Sequence, residues 1–117
     1  WAADAQAATL YRYLMGQSLT GTSLTPLNQY HLHGAPAAGL FCADRLLWVA
    51  DSKSRGLTRY SYDAKTIVAQ DRFDLGSRLP DGAAIKGLVV DRKFLWVLTI
   101  RPSALHRFAL SELRWQP

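Results

Sequence analysis

Apolar and polar residues alternate in short runs along this chain, and clusters of turn-forming residues separate the runs. Leu57-Thr-Arg-Tyr-Ser-Tyr62 has the period of two expected of a half-buried strand. Ahead of it, Gly39-Leu-Phe-Cys-Ala43 and Leu46-Leu-Trp-Val-Ala50 predict two further strands, with Ala43-Asp44-Arg45 turning the chain from one into the other. Asp51-Ser-Lys-Ser-Arg-Gly56 is a polar loop rich in residues that end strands. Asp63-Ala-Lys65 then turns the chain into a fourth strand, from Thr66 to Leu75. No stretch sustains a helical period, so the chain is predicted to be all-β.

The pattern occurs three times. Trp1-Ala-Ala-Asp4, Trp48-Val-Ala-Asp51 and Trp96-Val-Leu-Thr99 open the copies, at intervals of 47 and 48 residues. Leu10, Leu57 and Leu105 fall in step after them, as do Arg12, Arg59 and Arg107, and Tyr13, Tyr60 and Phe108. An offset of 48 holds without a gap from Gly39 and Gly87 to Leu57 and Leu105, and Gly76-Ser-Arg-Leu-Pro-Asp-Gly82 is the passage between these two copies. The first copy carries an insertion from Gly16 to Thr25, and its outer strand resumes near Pro26-Leu-Asn-Gln-Tyr-His-Leu32. Pro26 suits an edge or first position, because it cannot donate to a ladder.

Repeats of roughly 40 to 50 residues built from short strands are the signature of propeller blades, each of which buries its faces only against neighbours. The expected fold is a β-propeller segment, with a partial blade over residues 1–33, a complete four-stranded blade over 39–75 and a partial blade over 87–117. Closure takes about four to eight blades, and this period supplies about two and a half. Other segments or subunits are therefore expected to complete the ring. The first copy begins inside a strand, and residues 113–117 correspond to Lys65 to Ala69, which predicts a piece of a larger propeller. The repeated Trp is expected to pack between blades, and the repeated Arg to do a structural job common to all of them.

Composition narrows the partners. At 49% hydrophobic and 20% charged the chain is an ordinary globular sequence. Its 14 Lys and Arg against 9 Asp and Glu leave a net charge of +5, which favours an anionic partner. The cations are spread out and no recognition helix or ribonucleoprotein motif accompanies them, so nucleic acid is not an expected partner. The single Cys42 excludes an intrachain disulfide framework and, lying in an apolar run, is expected to be a small buried core residue. No apolar stretch approaches the about 18 residues of a membrane span.

Candidate chemistry is sparse. Asp4 and Asp51 close equivalent strands one repeat apart, which predicts a capping role on the loop amides rather than a paired catalytic site. Asp81 lies in Pro80-Asp-Gly82, ordinary turn chemistry. His31-Leu-His33 could form half of a zinc or copper site, but nothing nearby completes it, and His106 is the only other histidine. Serines 52, 54 and 61 lack a nucleophile-elbow context, and there is no Gly-rich phosphate loop.

From Ala38 to Leu110 the chain resembles the six-bladed gluconolactonase or senescence-marker lactonase family of calcium-dependent propeller hydrolases. The likeness is carried by Gly39-Leu40, Trp48-Val-Ala-Asp-Ser52, Tyr60-Ser-Tyr-Asp63, Thr66, Ile67, Arg72, Leu79-Pro-Asp-Gly82 and Leu95-Trp-Val97, with Ala8-Thr-Leu-Tyr-Arg-Tyr13 upstream. Leu-Trp-Val-Ala-Asp and Gly-Leu-x-Arg-Tyr are also similar to streptogramin-lyase, NHL and two-component-regulator propellers. The resemblance implies a divalent cation, calcium or zinc, at the channel mouth, held by Asn, Asp and Glu. The family's Asn-Gly-Leu reads Ala38-Gly39-Leu40 here, so one ligand oxygen is gone. The family's next ligand, an Asp before Gly, falls either on Lys86, a cation that would repel the metal, or on Asp81, which could coordinate it. The gapless offset supports Lys86. A hard cation wants several oxygen donors, and this segment offers at most Asp81.

These readings converge on a non-catalytic ligand- or protein-binding or scaffold propeller module with no cofactor, more a binding protein than an enzyme. Its ligand site is expected around Ala38, Asp51, Asp81 and Lys86, where Lys86 suits an anionic small molecule. One alternative is a metal-dependent, gluconolactonase-like hydrolase with a metal at Asp81 and its other ligands outside this chain. Another is a lectin-like oligomeric propeller with Trp and Arg lining pockets between blades.

Overall fold

The computed structural model describes residues 1–4, 6–12, 28–32, 35–43, 45–63 and 65–116. Tyr13, the insertion from Gly16 to Thr25, Pro26, His33 and Asp44 lie outside the described residues. Strands β1 (Ala2–Ala3), β2 (Thr9–Arg12) and β3 (Asn28–His31) form a first antiparallel sheet. Strands β4 (Ala37–Ala43), β5 (Leu46–Asp51), β6 (Leu57–Tyr62) and β7 (Ile67–Phe73) follow one another across a second sheet. The third contains β8 (Ala84–Val90), β9 (Phe94–Ile100) and β10 (Ala104–Ala109), again in chain order. No α-helix occurs among the described residues, and the chain is all-β. Two short 3₁₀ turns, Leu75–Arg78 and Leu110–Glu112, connect or follow the sheets. None of the sheets closes on itself.

The middle sheet is covered on both faces, which is why its second strand reads as a continuous apolar run. Leu47, Trp48, Val49 and Ala50 are all buried. Because successive side chains point to opposite faces, Leu47 and Val49 meet Leu10 and Tyr30 of the first sheet. Trp48 and Ala50 instead join Leu57, Phe73 and Leu75 in a core with Ile85, Leu88, Leu95 and Val97 of the third sheet. Each fully buried leucine or valine here contributes about 1.5–3 kcal/mol relative to exposure. The Tyr30 hydroxyl donates to the Asp63 carbonyl at 2.6 Å, a polar tie from the first sheet to the second.

The second and third sheets approach through their first strands. A Cβ built on Gly39 of β4 would lie 3.1 Å from Leu88 Cδ2 and 3.4 Å from the Gly87 carbonyl carbon in β8, so glycine permits this closeness. Both strands are bulged at the same repeat position. The register jumps between Ala37 and Gly39 and between Ile85 and Gly87, leaving Ala38 and Lys86 as the extra residues.

One feature was not foreseen in the sequence and one departs from its reading. Among the described residues no fourth strand follows β10 in the third sheet. Gln116 instead bridges to Arg72 on the outer edge of β7, through two backbone hydrogen bonds of 2.7 Å. Cys42, expected in the core, is exposed, with its Sγ 3.7 Å from the Tyr62 hydroxyl. It sits near the end of β4, opposite Leu47, on the side of the middle sheet that faces the first sheet.

Candidate functional site

Three chain segments meet at one end of the middle and third sheets, and aspartate and arginine side chains hold them there. Asp51 ends β5. Its Oδ1 accepts the amides of Lys53 at 2.8 Å and Ser54 at 2.9 Å, and its Oδ2 accepts that of Ala35 at 3.3 Å. The Ser52 amide donates to the Pro36 carbonyl at 3.1 Å, so the loop after β5 is fastened to the entry of β4. Burial works against the charge on Asp51. The Ser54, Lys53 and Ala35 amides and the Ser54 hydroxyl outweigh it and hold the carboxyl below its ordinary value. Asp4, at the equivalent position of the first copy, accepts the Gln6 amide at 2.8 Å and the Ala7 amide at 3.2 Å. The capping role read from the sequence is the one observed at both aspartates.

Arg55 supplies a residue that the sequence reading passed over. Its Nη1 donates to the carbonyls of Pro80 at 2.8 Å and Ala83 at 3.2 Å, drawing the Pro80–Ala83 turn onto the Asp51 loop. That turn is closed by the Ala83 amide on the Pro80 carbonyl at 3.1 Å, and Gly82 stands at φ 79° in the third position, as a type II turn requires. Contacts spanning 25 and 28 residues are invisible to local pattern.

Of the four candidate residues, Asp51 caps the loop, Asp81 lies exposed in the turn that Arg55 holds, and Ala38 and Lys86 occupy the two bulges. Lys86 is exposed, whereas Ala38 is half-buried against the core between the sheets. Bulges re-aim the side chains they carry, so the repeat places Ala38 and Lys86 in one local geometry on neighbouring strands. No group of three or more His, Cys, Asp or Glu that could hold a metal ion occurs among the described residues. His31 is exposed, and its proposed partner His33 falls outside them. His106 is engaged elsewhere, with Nε2 3.0 Å from Thr99 Oγ1.

A cavity of about 440 Å³ opens beside this cluster on the β6 and β7 side, with His31, Asp51, Thr58, Tyr60 and Arg72 among its walls. Burial pushes the Tyr60 phenol up, against the opposing pull of the Arg72 charge and a hydrogen bond with Thr58. Asp51 is common to this cavity and to the loop cluster.

The repeated Arg has a chemistry that its recurrence alone did not disclose. Each copy lays its guanidinium over the repeated Trp. Arg12 is 5.9 Å from the Trp1 ring centre and 5.4 Å from that of Tyr62, across the junction of the first two sheets. Arg59 is 5.3 Å from Trp48 and 3.8 Å from Trp115. It also holds Asp71 through a bidentate ion pair, with Nε on Oδ1 at 2.6 Å. Arg107 lies 4.7 Å from Phe94 and 5.8 Å from Trp96. Trp1 and Trp48 pack between sheets, as expected of the repeated Trp. Trp96 lies half-buried on the outer face of the third sheet, its indole donating to Asp91 Oδ2 at 2.9 Å.

No family model matches this chain, and no curated protein or solved structure matches it.

Proposed function

We propose that this chain is a β-propeller segment akin to the gluconolactonase-like group, completed by other segments or subunits, and that it serves as a non-catalytic binding or scaffold module. The observation that carries the reading is the side-by-side placement of β4 and β8, the first strands of successive sheets, with Gly39 against Leu88 and Gly87. Strands so placed line the axis of a propeller. The repeated Arg–aromatic plates add a second support, since they recur once per sheet.

The ligand end is the cluster of Ala38, Asp51, Asp81 and Lys86. Asp51 is committed to three backbone amides. Ala38 brings no ligand atom, and Lys86 offers an exposed cation on a bulge. This favours a small anion over a divalent metal, which repels a lysine and needs several oxygen donors. Titration with gluconate followed by backbone amide NMR is expected to shift residues 37–38, 51–56 and 84–86, and Lys86→Ala to abolish the shifts. Lactone hydrolysis that requires calcium or zinc and disappears in Asp81→Asn would overturn this reading in favour of the metal-dependent hydrolase. A lectin-like role is the second reading, favoured by the Trp96–Arg107 plate on an uncovered face.

A further inference from the structure

We propose that the cavity between the first and middle sheets is a binding site for a small organic monocarboxylate, whose carboxylate the Arg72 guanidinium receives. The ligand end formed by Ala38, Asp51, Asp81 and Lys86 leaves this space unused. The site depends only on the packing of these two sheets, whether or not they belong to a propeller.

Strand register builds the site. Leu47 stands opposite Tyr60 and Val49 opposite Thr58. Leu47 and Val49 pack against the first sheet, so Tyr60 and Thr58 point to the same face. On β7, Ala69 lies opposite Tyr60 and Arg72 opposite Thr58, and the register jumps between them, leaving Gln70 as the extra residue. Unbroken alternation from Ala69 would turn Asp71 toward the first sheet and Arg72 away from it. The bulge exchanges the two. Asp71 pairs with Arg59 on the Trp48 face, and Arg72 is left on the other face with no carboxylate partner among the described residues. Leu10 and Tyr30 cover this face over the inner strands. Farther out, beside Thr58, Tyr60, Ala69 and Arg72, the cavity of about 440 Å³ remains, with His31 of β3 in its wall. That volume lies within the range of small-molecule sites.

The walls select the ligand. A guanidinium presents a planar fork that matches a carboxylate through two parallel hydrogen bonds. The forks of Arg55 and Arg59 are engaged, by the Pro80–Ala83 turn and by Asp71. That of Arg72 makes no hydrogen bond or ion pair among the described residues, and it is exposed at the cavity. The Thr58 and Tyr60 hydroxyls add neutral hydrogen-bonding groups, and Ile67 and Ala69 give the body of the ligand an apolar wall. Beside the burial that dominates its shift, the Tyr60 phenol feels the Arg72 charge and, with the opposite sign, that of Asp51. Both charges therefore reach this space. One cation with one carboxylate nearby favours a single negative charge over a phosphate dianion, whose second charge Asp51 repels.

Titration of the 117-residue chain with 4-hydroxybenzoate, followed by backbone amide and arginine side-chain NMR, tests it. Saturable shifts are expected at Thr58, Tyr60, Ala69 and the Arg72 Nε–H. Arg72→Gln should raise the dissociation constant by about tenfold or more. Ala69→Phe, which fills the cavity, should do the same. Both positions are exposed, so circular dichroism should report the parental fold for each variant. The neutral methyl ester should bind about tenfold more weakly than the acid, and inorganic phosphate should not displace the acid. Lys86→Ala should leave the shifts intact. An absence of saturable shifts at these residues overturns the proposal, as does either cavity variant binding like the parent. So does a methyl ester that binds as tightly as the acid, displacement by phosphate, or loss of the shifts in Lys86→Ala. A chain that answers gluconate through Lys86 but ignores 4-hydroxybenzoate lacks this site alone. The reverse pattern removes the Lys86 site and leaves this one standing.

Discussion

The Trp48 face of the middle sheet and the Trp96 face of the third are written in nearly the same residues and have opposite fates. Leu57 is fully buried and Leu105 is 63% exposed, although the two stand 48 residues apart at one repeat position. The difference is not encoded in either leucine. It comes from what lies opposite, because the third sheet covers the middle one and no described residue forms a sheet over the third. In a stacked-sheet protein a repeat specifies a face, and the neighbour decides whether that face is core or surface.

The largest effect expected from this contrast is in the core. Leu57→Ala should cost about 2–5 kcal/mol of unfolding free energy through lost burial and a residual cavity. Leu105→Ala should stay within about 0.5 kcal/mol, as surface substitutions do. Denaturant unfolding of the two variants side by side checks this, and similar losses would break the comparison.

Gly39 and Gly87 sharpen it on the backbone. Gly39→Ala obliges the Leu88 side chain to give by a few tenths of an ångström and should be the less favourable of the two substitutions. Gly87→Ala meets open space and should be near neutral, as thermal melting would show.

The guanidiniums come next. Arg59→Ala removes stacking on Trp48 and Trp115 and leaves Asp71 without its partner, for a loss of about 1–2 kcal/mol. Arg107→Ala, on the uncovered face, should lose less than half of that. Arg59→Lys should fail to restore the parent, because an ammonium cannot reproduce the bidentate fork or the planar stack. Equilibrium unfolding of the three variants provides the readout.

The smallest effect is in acid. The Trp96 indole, followed by the Lys93 and Phe94 amides, holds the Asp91 carboxyl below its ordinary value of 3.8. Asp51 is likewise lowered, despite its burial, by amides at the other end of the sheets. A carboxyl whose folded value is depressed contributes stability above its unfolded value, and that contribution fades as pH falls through the lower folded one. Stability should therefore decline below about pH 4. Asp91→Asn should blunt the decline and alter Trp96 fluorescence, which would tie that part of the titration to the open face.

Much of the strand layout was legible in the sequence because alternation reports pleating directly. Leu57 to Tyr62 is the observed β6 residue for residue, and Leu46 to Ala50 differs from β5 only at Asp51. The inner strands were read too short, since Gly39 and Gly87 follow bulges whose extra residues, Ala38 and Lys86, break the period of two. The recurrence of Arg12, Arg59 and Arg107 announced a shared structural job. Which aromatic each one stacks on depends on register and on neighbouring sheets, so local pattern could not supply it. Arg55 was missed for the same reason, its acceptors lying on a distant turn. The path of Gln116 onto β7 also escaped, because the repeat offset aligns the last residues with a strand of their own sheet. Cys42 was misread because the apolar run around it does not say which of its residues a neighbouring sheet covers.

Hydroxyl-radical footprinting of the dilute chain, read as side-chain oxidation rates at Leu57 and Leu105, tests the central claim most directly. The account predicts strong protection of Leu57 and rapid oxidation of Leu105, with Leu98 behaving like Leu105. Equal protection at the two leucines in dilute solution would contradict it.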